Sequence, residues 1–200
     1  TKQRRDGSWR IRTHRPPLED SHFTATALSL QGLQFYASGD LEKDVQERLT
    51  RARAWLLKSE AKTTEDRAFR LLGLTWAKAS DARVEQFGKE LLGRQGKDGG
   101  WSQLDAMSSD AYATGQSLYA LKVAGILKTT GKAYQRGCRY LLKSQLPDGS
   151  WLVATRSKAF QKYFESKFPH GKSQFISICG TCWATLALVE LLPTTAATKP

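Results

Sequence analysis

The residues that could do chemistry in this chain fall into three groups. Asp20 and Asp110 stand where helices are expected to begin. An aspartate there can exchange a proton, or it can simply accept from the free N–H groups of a first helical turn. His22, two residues from Asp20, supplies a second partner for acid–base work. The second group is His170, Cys179 and Cys182, spaced H-x8-C-x2-C. Three such ligands would hold a zinc ion and leave a fourth position for a thiolate or water. The same "CGTC" has the spacing of a redox dithiol, and a helix start would lower the first thiol's pKa. The plain alternative is two small apolar residues where a helix begins.

The third group is a long segment between Leu152 and Ile178, "LVATRSKAFQKYFESKFPHGKSQFISI". Loops of this length are uncommon unless they carry function or lack order. Its aromatics, Phe160, Tyr163, Phe164, Phe168 and Phe175, argue against lack of order. With Arg156, Lys158, Lys162, Tyr163, His170 and Lys172 it is expected to cover a cavity mouth and offer cations to an anionic head group, with Trp183 as a further ligand contact. The alternative is a plug that fills the cavity.

Charge supports anionic partners. The formal net charge is +12. Lys132 to Lys172 hold nine Lys or Arg against Asp148 and Glu165, and the first fifteen residues hold six against Asp6. Such a surface favours phosphate or diphosphate groups, anionic lipid at a membrane surface, or nucleic acid; solubility alone is the other reading. No nucleic-acid reading element is visible, which makes that partner the weakest of the three. No apolar run reaches the roughly 20 residues of a membrane-spanning helix. Three cysteines, Cys138, Cys179 and Cys182, form no disulfide framework and indicate no compartment.

These groups must be positioned by helices. Apolar residues recur at helical spacing over about 20–38, 42–59, 64–79, 82–95, 110–127, 132–145 and 180–192, and no segment alternates convincingly as a strand. Thr63 or Thr64 is placed to cap the third helix and Asp110 the fifth. "PTTAATKP" reads as a disordered tail over 194–200. Three turns share the pattern Q-x-x-D-G-[G/S]-W: Gln3 to Trp9, Gln95 to Trp101 and Gln145 to Trp151. The last two lie fifty residues apart, as do Leu91–Leu92 and Leu141–Leu142. Helices after the turns are rich in small residues, as in "TATALSL" and "AYATGQSLYAL". "DSHFT" and "DAYAT" pair Asp20 with Asp110 and Thr24 with Thr114. Helical pairs joined by such turns describe an array of stacked hairpins.

The Q-x-x-D-G-x-W pattern, preceded by a helix with "LL" and followed by a small-residue helix, resembles the QW motif of squalene and oxidosqualene cyclases. The protein prenyltransferases share their fold. The resemblance covers nearly the whole chain and implies an all-α, partial α/α-toroid domain over 1–193. It implies that Gln3, Gln95 and Gln145 bond to a neighbouring helix end while Trp9, Trp101 and Trp151 pack against it. The motif begins at the very start of the chain, so the chain is expected to be part of something longer or processed. Upstream residues then complete the ring, or it is open on one side. The cyclases' D-x-D-D-T-A acid cluster is absent; Asp20 and Asp110 are the lone acids at the matching helix starts. The prenyltransferases' D-x-C zinc pattern and the D-D-x-x-D of diphosphate ionisation are absent too. The expected function is binding of an apolar or isoprenoid-type molecule with an anionic head. The alternative is a non-catalytic helical-repeat module that binds a macromolecule.

Overall fold

A computed structural model describes residues 2–36, 42–159 and 161–192. The expected tail over 194–200 and the loop residue Phe160 lie outside them. Seven helices carry the described fold: α1 His22–Tyr36, α2 Glu42–Lys58, α3 Thr64–Trp76, α4 Asp81–Leu92, α5 Ala111–Val123, α6 Lys132–Ser144 and α7 Gln174–Val189. Two very short strands, β1 Trp101–Ser102 and β2 Ser109–Asp110, pair antiparallel and close the turn before α5.

The helices lie in two rows. The odd-numbered helices are neighbours in the order α1, α3, α5, α7, and each even-numbered helix bridges the odd-numbered helices before and after it. The small residues of the odd row let backbones meet. A Cβ on Gly115 of α5 would lie 2.4 Å from the backbone of Trp183 in α7, which only glycine allows. One core runs through both rows, from Trp9 and Phe23 through Leu72 and Trp101 to Leu141, Trp151 and Ala187.

Each turn holds the odd-numbered helix after it in the same way. The indoles of Trp9, Trp101 and Trp151 are buried. The backbone N–H of each donates to a threonine hydroxyl one helix on: Thr26 at 3.0 Å, Thr114 at 2.9 Å and Thr181 at 3.2 Å. The indole Nε1 of Trp101 donates to the Leu91 carbonyl at 2.9 Å, and that of Trp151 to the Leu141 carbonyl at 2.8 Å. The glutamine amide bridges the turn to the following even-numbered helix. Gln3 donates to Gly7 O and Arg48 O, both at 2.9 Å; Gln95 donates to Gly99 O at 2.8 Å and Ala133 O at 2.9 Å. A buried turn leaves peptide groups without water, and a primary amide with two donors satisfies two carbonyls at once.

Away from the turns, α3 is tied to α4 by charge. Arg67 and Arg70, both nearly inaccessible, reach the Glu90 carboxylate at 3.0 and 2.5 Å, and Arg70 also lies 3.9 Å over the Phe87 ring. Thr63 and Asp66 form a reciprocal cap at the start of α3, and Asp110 caps α5 by accepting from Ala113 N at 2.9 Å.

Three sequence expectations need correction. Helix α7 begins at Gln174, not at 180. Gly180 does not interrupt it; a Cβ there would meet Val153 at 2.6 Å, so the glycine makes room for the preceding turn. Thr26, not Thr24, is the partner of Thr114, since these two hydroxyls take the tryptophan N–H groups. The register between α1 and α5 therefore shifts by two residues, and His22, not Asp20, stands where Asp110 does. Asp20 also does not cap α1. The Ser21 hydroxyl accepts from Thr24 N, and Asp20 pairs with His14.

The joints predict unequal costs. Replacing Gln95 by Ala strands two carbonyls and the Arg136 guanidinium and should cost about 2 kcal/mol in urea unfolding. Replacing the exposed Gln145, which keeps one such bond, should cost below about 1 kcal/mol.

Candidate functional site

A pocket of about 340 Å³ opens between the starts of α1 and α3, lined among others by Asp20, His22, Glu65, Asp66, Lys62 and Arg156. Its apolar wall includes Phe23 and Trp55, whose rings lie 4.7 Å apart. The segment Lys62–Thr63 feeds α3, so the capping box that starts this helix also fixes one side of the pocket. Asp66 is consumed by that structure. Its carboxylate accepts from Lys62 N and Thr63 N, both at 3.0 Å, and from the Ser21 hydroxyl at 2.6 Å.

Glu65, one residue earlier, is the unusual group. Only 5% of it is exposed, and its carboxyl sits where three odd-row helices meet. Thr24 of α1 donates to Oε1 at 2.6 Å and Tyr112 of α5 to Oε2 at 3.0 Å. In the corrected register Thr24 and Tyr112 are equivalent positions, so two successive repeats each send one hydroxyl to the same acid. Burial outweighs these two bonds and pushes the Glu65 pKa up to about 7. Asp66 and Asp20 push it the same way. Burial raises the Tyr112 hydroxyl well above its ordinary range, so it stays a donor.

Asp110 is nearby through a relay. It accepts from Gln103 Nε2 at 2.9 Å, and Gln103 Oε1 accepts from Arg156 Nε at 2.7 Å. Burial raises the Asp110 pKa, against the backbone N–H of Ala113 and the Gln103 amide, which lower it. His22 lines the pocket with its buried Nδ1 unbonded, and burial, helped by Arg10, lowers its pKa toward the neutral ring. His22, held toward its neutral form by burial, and Glu65, raised to about 7, are together suited to proton exchange with a bound molecule near pH 7.

The other expected residues are elsewhere. Among the described residues of the long segment only Arg156 reaches this pocket. Lys158 and Lys172 are exposed, Tyr163 donates to Glu165 at 2.6 Å, and His170 Nε2 lies 2.8 Å from the Ser150 hydroxyl. Trp183 packs against Tyr119 and Phe69, between α5 and α3. Cys179 and Cys182 lie inside α7, more than a turn from its start. Burial raises the Cys179 pKa, the reverse of the lowering expected at a helix start. Among the described residues no three of His, Cys, Asp or Glu are grouped to hold a metal ion, so His170, Cys179 and Cys182 are not brought together.

Sequence reasoning passed over Glu65, Gln103, Lys62 and Trp55. The available signal was the doublet Glu65-Asp66 directly after a capping threonine. A first-turn acid is ordinary, and only its burial makes it notable. Among the described residues no helix is long and apolar enough to cross a membrane.

Glu65 makes a prediction about stability. Its pKa is raised on folding, so the folded chain binds the extra proton and ionisation opposes folding. Stability should fall as pH rises from about 4.5 to about 7, by up to about 3 kcal/mol, and level off above. Glu65→Gln should flatten that part of the curve. A chemical-denaturation series from pH 4 to 8 on both proteins checks it; parallel curves would remove Glu65 as the cause.

No family model matches the chain, and no curated protein matches it.

Proposed function

We propose that the chain is part of a terpenoid-cyclase- and prenyltransferase-like α/α-toroid that binds an apolar, isoprenoid-type molecule by its polar end. In this reading the odd-numbered helices are the inner ring and the pocket at their starts receives the ligand's anionic head. Arg156 and Lys62 supply the cations, Phe23 and Trp55 the first apolar contacts, and Glu65 the exchangeable proton. The observation that carries the reading is a carboxyl with its pKa raised to about 7 on the wall of a pocket that also holds Arg156. Buried ionisable groups with displaced pKa values concentrate where ligands and reactions are handled. The turn joints support the toroid part, because the motif they share is the one that resembles the cyclases.

The second reading is a helical-repeat interaction module. It is favoured by the flank of α7 turned away from α5, where Phe175, Cys182, Leu186 and Val189 are exposed along one stripe.

Farnesyl diphosphate and farnesol separate the two. The ligand reading expects the diphosphate to bind in native mass spectrometry and titration calorimetry, about tenfold more weakly in Arg156→Ala. Binding should strengthen as pH falls through about 7, because protonation removes the Glu65 charge facing the head group. Glu65→Gln should bind without that pH dependence. Failure of both molecules to bind, or binding indifferent to Arg156, would favour the interaction module.

A further inference from the structure

The three turn joints are alike in their own residues and unlike in what lies across them. At the first, Arg48 offers its carbonyl to Gln3, and Arg51 donates back to Gln3 Oε1 at 2.8 Å. A Cβ on Gly7 would fall 2.3 Å from the Arg51 carbonyl oxygen. At the second, Ala133 offers its carbonyl to Gln95, and Arg136 donates to Gln95 Oε1 at 2.8 Å. A Cβ on Gly99 would fall 2.6 Å from the Arg136 carbonyl oxygen. Carbonyl and arginine are thus three residues apart on the even-numbered helix that follows each turn.

The third joint is built, but among the described residues no helix lies across it; the turn's Ser150 hydroxyl instead meets His170 Nε2 at 2.8 Å. Gln145 donates to Gly149 O at 2.9 Å, and Asp148 holds Ser150 as Asp6 holds Ser8. Among the described residues no second carbonyl accepts from Gln145 and no arginine reaches its Oε1. The nearest atom to a Cβ on Gly149 is the Nε2 of Gln145 itself, at 4.0 Å. The helix behind the turn tells the same story. With Thr26, Thr114 and Thr181 in register, Leu30 and Leu118 correspond to Thr185. Leu30 and Leu118 are fully buried, Leu118 against Gly137 of α6, whereas Thr185 is exposed.

The two filled joints specify what fits. Their helices read "RARAWLL" from Arg51 and "RGCRYLL" from Arg136: arginine, then alanine or glycine, then leucine five residues after the arginine. The small residue lets the helix approach the odd row, and Leu56 and Leu141 enter the core. The joint before α3 is the internal control. It has Glu60 in the glutamine's place, and α4, aligned through Leu91–Leu92, has Gln86 in the arginine's place. The arginine accompanies the glutamine.

We infer that the Gln145–Gly149 turn and the adjoining face of α7 dock one amphipathic helix of this arginine–small–leucine type, carried by a partner outside residues 1–200. A second copy of the chain does not supply it, because Arg51 and Arg136 are already engaged in their own joints. Residues 193–200 contain no arginine. The inference rests on the joints alone and stands or falls separately from the ligand pocket.

The test uses the whole chain and a fluorescent, capped peptide of residues 44–59, which carries the α2 pattern. Anisotropy in about 0.15 M salt should show saturable binding with a Kd on the order of 10–100 µM. Gln145→Ala in the protein and Arg51→Ala in the peptide should each weaken it about tenfold. The two changes together should weaken it little more than Gln145→Ala alone, since that change already removes the arginine's acceptor. The peptide change leaves the protein untouched, so folding does not confuse the result. Absence of saturable binding up to about 1 mM, weakening by neither change, or sedimentation showing that self-association of the chain blocks the peptide would each overturn the inference.

Discussion

A turn that runs under a tryptophan cannot leave its carbonyls to water. In this chain that constraint is met by one amide. The glutamine at the start of each repeated turn bonds the turn's glycine carbonyl, and in two of three cases reaches across to the following even-numbered helix. The amide fixes the angle between turn and helix, the indole covers the junction, and the threonine hydroxyl on the following helix sets its register. Glycine is required at Gly7 and Gly99 twice over, by a positive φ and by a neighbouring backbone too close for a Cβ. Each repeat thereby fixes where its successor lies, which is how stacked helical hairpins remain one body.

The pocket depends on that register. Thr24 and Tyr112 reach Glu65 from opposite sides because α1 and α5 are each set by a tryptophan turn, while α3 is set by its own capping box and by Arg67 and Arg70 on Glu90. Three independently positioned helix starts enclose one carboxyl with two hydroxyl donors. That supply is too small to hold a buried carboxylate fully ionised, so the site keeps a titrating acid. Arg156 enters from the segment between Trp151 and α7, tied to Asp110 through Gln103. The long segment thus contributes one cation to the pocket, while its Tyr163, Ser166 and Gln174 bond within the segment.

The joints were legible because they are local: glutamine, aspartate, glycine and tryptophan lie within seven residues, and each has a distinct physical task in a turn. The helices were legible for the same reason, through apolar spacing and the caps at Thr63 and Asp110. What depends on distance in sequence was not. Glu65 becomes unusual only through Thr24 and Tyr112, 41 and 47 residues away. The two-residue slip between α1 and α5 arose from matching Asp20 to Asp110 by type; the true marker is the threonine that receives the tryptophan N–H. The last helix was expected from 180, but α7 starts six residues earlier at Gln174, and Gly180 within it makes room for Val153. The His170, Cys179 and Cys182 spacing suggested a cluster that the fold does not gather: the two cysteines share a face of α7, while His170 is held on Ser150.

The claim on which the rest depends is that the tryptophan turns are closed joints, opened only when the chain unfolds. Hydrogen exchange of the indole N–H groups, followed by NMR across a denaturant series, tests it directly. The Nε1–H of Trp101 and Trp151, bonded to Leu91 and Leu141 carbonyls, should exchange with the same free energy and denaturant slope as the slowest core amides. Exchange of either indole by a low-energy local opening, independent of denaturant, would contradict the account.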